Sequence, residues 1–288
     1  MSLVNLLGLK PKAPRVKTLG VLLFGVQALY VVSATAGDCM PAGAGELAQV
    51  ERVYDGDTLK LKDGRHVRIL GVNTPEVSHG KDKAGQALGE EARMATGAFV
   101  GTDKPVRLFY DVQRVDRYER TLAHVYDAKG NSLAVHLLRK GLGFHVAIPP
   151  NLSLNDCLSG QERLARKKSL GVWGSVAWQA KPAAALSLKD TGFQRISGRI
   201  VSVRKAQSIW LELDGPLVIK ITPTDLKNFP AVNWLSWKGK HVEVRGWVTE
   251  RGGSSEEPEK KSKSAAKKSY KSLIVQPRIA GALDLLSP

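Results

Sequence analysis

The stretch LKLKDGRHVRIL, residues 59–70, alternates apolar and polar side chains on both sides of Asp63-Gly64. A period of two sends successive side chains to opposite faces of a strand, and Asp-Gly accepts the backbone geometry of a tight turn. This stretch therefore reads as a hairpin, within an alternating region from Leu47 to Val72. The segments beyond Val72 restrict the fold further. AGQALGEEARMATGAFV (84–100) has apolar residues at helical spacing, and PVRLFYD and TLAHVYD return to strand. SLAVHLLRKGLG reads as a helix stopped by glycine, and a last helix runs from about Ser153 to Ser169, ahead of LGVWG. Strands and helices in this order predict an α+β domain, a small antiparallel barrel with packed helices.

Beyond Trp178 the composition changes. QAKPAAALSLKDTG is rich in alanine and lacks periodicity, so 179–192 reads as a linker. From Phe193 to about residue 286 the chain is nearly all strand, in RISGRIVSVRK, SIWLELD, LVIKITP and KGKHVEVRGWVTE. Short strands at this spacing predict a second, smaller OB-like β-domain. A low-complexity basic tract, 252–271, interrupts it and is expected to be disordered. SLIVQPRIAGALDLL then reads as the final strand resuming. Trp210, Trp234, Trp237 and Trp247 serve either the core of this domain or a binding surface.

The 288 residues leave room for about two domains, and 43 Lys and Arg against 27 Asp and Glu give a formal charge of +16. A surface this basic attracts anionic partners such as phosphate backbones or acidic lipids. Lys10, Lys12, Arg15 and Lys17 precede the apolar run 19–32, and the small residues Ala34-Thr35-Ala36 come after it. This is the pattern of a signal peptide over 1–36 with cleavage before Gly37, so the protein is expected to be exported, periplasmic or secreted. The run is shorter than the roughly 20 residues of a membrane span. Membrane contact is expected only if that segment is retained as an anchor. Cys39 and Cys157 are the two cysteines. In an oxidising compartment they form either one disulfide, tying the mature N-terminus to a late helix, or two free thiols, and no spacing resembles a zinc site. The six histidines are scattered and suggest no common role.

The chemistry concentrates near the first hairpin. VYDGDTLKL (53–61) sets Asp55 and Asp57 two positions apart at the start of a strand. Asp-Gly is a common turn pair, and the same acids also suit a cation site. Arg68 lies in an apolar strand, where an unpaired charge is costly, so it needs either a salt bridge or a bound anion. NTPE then supplies oxygen donors, Asn73, Thr74 and Glu76, in a turn set by Pro75.

Taken together, YDGDT, VRILGVNTPE, DRYER with the strand TLAHVY, and LLRKGLG resemble the staphylococcal nuclease (thermonuclease) family over residues 46–178. The resemblance implies a five-stranded OB-type barrel with helices, in a domain spanning 37–178, and calcium-dependent hydrolysis of DNA and RNA without a small-molecule cofactor. It assigns Asp57, Asn73 and the backbone carbonyl of Thr74 to Ca2+, with Asp55 one step behind them. Glu76 matches the general base, and Arg68 and Arg120 match the arginines on the scissile phosphate. Such roles are chemically coherent, because a cation and two guanidiniums stabilise the charge that builds on phosphoryl oxygens.

Three positions depart from the family pattern. Asn73 stands where an aspartate is usual, which implies weaker metal affinity. Glu119 replaces a usual glycine, and HVAIPPNL (145–152) lacks the family's substrate tyrosines. The leading reading is an exported nuclease. The alternative is a catalytically idle nucleic-acid-binding protein built from two OB-like barrels. A third reading is an envelope-anchored scaffold.

Overall fold

The computed structural model describes residues 39–78, 84–101, 104–251 and 271–286. The expected signal peptide, His79 and nearly all of the basic tract lie outside them. The expected first hairpin forms: β2 (Thr58–Leu61) and β3 (His66–Ile69) pair antiparallel across Asp63-Gly64. β1 (Glu46–Asp55) precedes them, and a two-residue β4 (Val72–Asn73) comes next. After the helix α1 (Gly89–Val100) come β5 (Pro105–Phe109) and β6 (Thr121–Tyr126). The ring closes in the order β1-β2-β3-β6-β5, with β3 and β6 parallel. Inside it, Leu59, Leu61, Val67, Ile69, Leu108 and Val125 alternate with outward residues and are fully buried.

Helix α1 packs on β1, and two further helices complete the cover of this barrel. Ser132 caps α2 (Leu133–Arg139), its hydroxyl accepting from Val135 N at 3.3 Å. β7 (Phe144–His145) pairs with β4, and α3 (Asn155–Lys167) packs on α2. Cys157 on α3 is joined to Cys39 by a disulfide that closes 118 residues of sequence.

The region 179–192 carries β8 (Lys181–Pro182), parallel to β9 (Gly192–Lys205), and buries Ala183 and Leu186 in the second core. β10 (Ile209–Leu213), β11 (Leu217–Ile221), α4 (Pro223–Leu226), β12 (His241–Glu250), β13 (Leu273–Val275) and β14 (Leu283–Leu285) complete the chain. The order β9-β10-β11-β13-β12 returns to β9, and β11 and β13 are parallel. The second ring thus repeats the connectivity of the first: an OB-type barrel whose third and fifth strands run parallel. β13 is the strand expected to resume after the basic tract.

The barrels belong to one compact unit, Ala36–Pro288. Phe144, Val172, Trp178 and Phe193 form an apolar cluster between them, with the Phe144 and Phe193 rings 5.1 Å apart. Beside it, buried Arg245 of β12 pairs with buried Glu162 of α3, and Glu162 Oε1 accepts from His145 N at 2.6 Å. Arg195 pairs with Glu243 at 3.0 Å, and Arg166 with Asp284 at 2.5 Å. No helix among the described residues is long and apolar enough to cross a membrane.

Candidate active site

The turn between β1 and β2 brings Asp55 and Asp57 to one end of the first barrel. Asp57 N donates to Asp55 Oδ1 at 3.0 Å, so the first acid fixes the backbone that presents the second. Gly56 between them is required by space: a Cβ there would lie 2.6 Å from the Thr74 methyl carbon and 2.8 Å from that of Ala92. Thr96 Oγ1 on α1 donates to Gly56 O at 2.7 Å and anchors the turn to the helix.

Asp57 is the hub. Its Oδ1 accepts from Thr58 Oγ1 at 3.1 Å and lies 3.0 Å from Arg68 Nη1; its Oδ2 accepts from Thr74 N at 2.7 Å. Arg68 Nη2 donates to Asn73 Oδ1 at 3.0 Å, and Nη1 also donates to the carbonyls of Ile69 and Val72 at 3.0 and 2.9 Å. One guanidinium therefore lies between the two side chains expected to hold a metal. Of the two kinds of partner the sequence allowed for Arg68, a salt bridge is present, to Asp57.

Burial pushes the Asp55 carboxyl well above the usual carboxylate range, and the charges of Asp57 and Glu76 push it further. Glu76 is exposed, and its backbone is clasped by Gln86: Glu76 N donates to Gln86 Oε1 and Gln86 N to Glu76 O, both at 2.8 Å. Gly89 permits this approach, since a Cβ there would lie 2.5 Å from Glu76 O.

Arg120 belongs to a different arrangement. It immediately precedes β6, whose Leu122 is the partner of Arg68 on β3, yet its Nε donates to Asp116 Oδ2 at 2.9 Å within its own turn. Asp116 Oδ1 also accepts from the backbone N–H groups of Tyr118 and Arg120, and the Tyr118 ring lies 5.5 Å from the Arg120 guanidinium. Burial raises the Asp116 carboxyl, but these donors outweigh it and hold it below the usual range. Glu119 has φ of +64°, so the turn keeps the left-handed backbone for which glycine is better suited.

The donor set fits a hard cation. Arg68 brings the Asp57 carboxylate and the Asn73 amide oxygen together, Thr74 N holds the other Asp57 oxygen, and buried Thr74 Oγ1 has no hydrogen-bond partner among the described residues. Among the described residues no three of His, Cys, Asp or Glu stand close enough to hold a metal by themselves, so amide and backbone oxygens would have to contribute. Gln86, Thr96 and Asp116 escaped the sequence reading. Only Asp116 left a local signal, as the acid four residues before Arg120 in DRYER.

An OB barrel with two acids and an arginine gathered at one end, and a second arginine beside the neighbouring strand, is an arrangement suited to phosphate esters. The pattern of the family described as staphylococcal nuclease homologue matches residues 66–175. A thermonuclease of Staphylococcus intermedius is 36% identical over 132 residues, covering 45% of this chain and 77% of that protein. A thermonuclease of Staphylococcus hyicus is 35% identical over 130 residues, 44% of this chain and 75% of the other. The SPbeta prophage-derived endonuclease YokF of Bacillus subtilis (strain 168) is 31% identical over 162 residues, 54% of this chain and 51% of the relative. This chain belongs to the staphylococcal nuclease family.

Proposed function

We propose that the protein is an exported nuclease that uses calcium to hydrolyse phosphodiester bonds of DNA and RNA. The observation that carries this reading is the network in which Asp57 pairs with Arg68 and accepts from Thr74 N, while the same arginine donates to Asn73 Oδ1. When bound, calcium would supply a positive charge against the phosphoryl oxygens, held by Asp57, Asn73 Oδ1 and the Thr74 carbonyl. Arg68 donates to a non-bridging phosphate oxygen, and Arg120, released from Asp116, donates to another. Glu76 takes the proton of the attacking water as its oxygen bonds to phosphorus. The ester bond on the opposite side breaks, and the leaving oxygen takes a proton from solvent. Both arginines hold charge that grows in the transition state, which is where binding energy accelerates a reaction.

Export is supported by the basic and apolar pattern of residues 1–36 and by the Cys39–Cys157 disulfide, since such bonds persist in oxidising compartments. The purified chain should cut labelled single- and double-stranded DNA and RNA in calcium, and should stop in a chelator or on Asp57→Ala. Absence of cutting under every metal tried would leave the idle binder as the better reading.

A further inference from the structure

Two of the four tryptophans of the second barrel, Trp234 and Trp237, are buried in its core, but Trp210 is half-buried on the outer face. It lies on β10, where Ile209, Leu211 and Leu213 point inward and Trp210 and Glu212 outward. Its cross-strand neighbours are Arg204 on β9 and Lys220 on β11. The Arg204 guanidinium lies 5.1 Å from the Trp210 ring centroid, the Lys220 ammonium 4.9 Å and the Arg251 guanidinium 5.0 Å. Three cations thus surround one outward-facing aromatic ring.

We propose that this face binds a single nucleic-acid strand, with a base stacked on Trp210 and phosphates held by Arg204, Lys220 and Arg251. The identity of the ligand rests on the nuclease reading above. Like charges around one ring repel one another, and neither Arg204 nor Lys220 forms an ion pair among the described residues. Glu212 is the single carboxylate that β10 itself presents on this face. A ligand that offers both a flat π-face and spaced negative charges relieves this arrangement: the base replaces a cation on the ring, and the cation moves to a phosphate. A single strand offers both, whereas a duplex hides its base faces in the stack. The position agrees, because β10 and β11 are the second and third strands of the ring, the face on which barrels of this type take oligonucleotides.

Fluorescence anisotropy with a labelled single-stranded oligonucleotide, on the full chain and in chelator so that nothing is cut, tests this directly. Trp210→Ala should weaken binding on the order of tenfold or more, and Trp210→Phe should retain most of it. Arg204→Gln with Lys220→Gln should lower the slope of log affinity against log salt by roughly 1.4, at about 0.7 for each phosphate no longer neutralised. Thermal melting checks that each variant is folded. Unchanged affinity and salt slope would overturn the proposal, as would equal losses for duplex and single strand. If the chain binds in this way but cuts nothing in any metal, the proposed nuclease activity fails and this site stands.

Discussion

Arg68 lies 3.0 Å from the Asp57 carboxylate, and its second terminal nitrogen bonds Asn73. Without metal, this arginine neutralises the oxygens that a cation would take. Arg68→Ala therefore strands a buried carboxylate, which costs about 3–5 kcal/mol. The melting temperature in chelator should fall sharply, and calcium should restore the variant more than it stabilises the wild type. A deficit that calcium does not touch would place the metal elsewhere.

Arg120 offers the contrasting case. Its partner Asp116 is half-buried and the arginine itself is about a third exposed, so the pair contributes at most about 1 kcal/mol. Arg120→Ala should lower turnover by about a hundredfold or more, the scale for loss of one transition-state charge donor, while melting changes little. Turnover within a few-fold of wild type would show that this arginine never leaves Asp116 for the phosphate.

Asn73→Asp adds a full charge where the amide offers a dipole, and affinity in oxygen-ligand sites rises with ligand charge. The calcium concentration for half-maximal cutting should fall. An unmoved titration alongside an inactive Asp57→Ala would remove residue 73 from the ligand set.

Glu119 holds φ of +64°. A side chain in left-handed backbone costs roughly 1–2 kcal/mol, so Glu119→Gly should stabilise the protein by about 1 kcal/mol after the added chain entropy is subtracted. Thermal melting should rise by roughly 2–4 °C. A fall would mean that the Glu119 side chain itself holds the turn.

His124 on β6 is buried, and neither ring nitrogen has a hydrogen-bond partner among the described residues. Burial holds its pKa down at about 4, with His145 adding to the effect and Asp111 opposing it. The unfolded value is about 6.5, so between these limits the unfolded chain binds a proton that the native chain refuses. Stability is therefore present above about pH 6.5 and is lost as pH falls toward 4, by up to about 1.4 kcal/mol per unit. Urea midpoints across this window should show the loss, and His124→Gln should flatten it relative to wild type. Parallel curves would assign the pH dependence to other groups.

The sequence alone determined whatever depends on neighbours along the chain. The Asp63-Gly64 hairpin, α1 inside 84–100, α3 inside 153–169 and β13 after the basic tract all arise from periodicity and turn chemistry, which act over a few residues. The acids of YDGDT and the donors of NTPE were legible for the same reason, and their order revealed the family. What only the tertiary structure decided are contacts between distant segments. Glu162 and Arg245 are 83 residues apart, and each is tolerable in the interior because the other is there. Trp210 and Trp234 look alike in sequence, but strand register turns one outward among cations and barrel closure buries the other. The placement of Arg68 between Asp57 and Asn73 is of this second kind: an apolar strand said that the charge needed a partner, and only the closed barrel chose which.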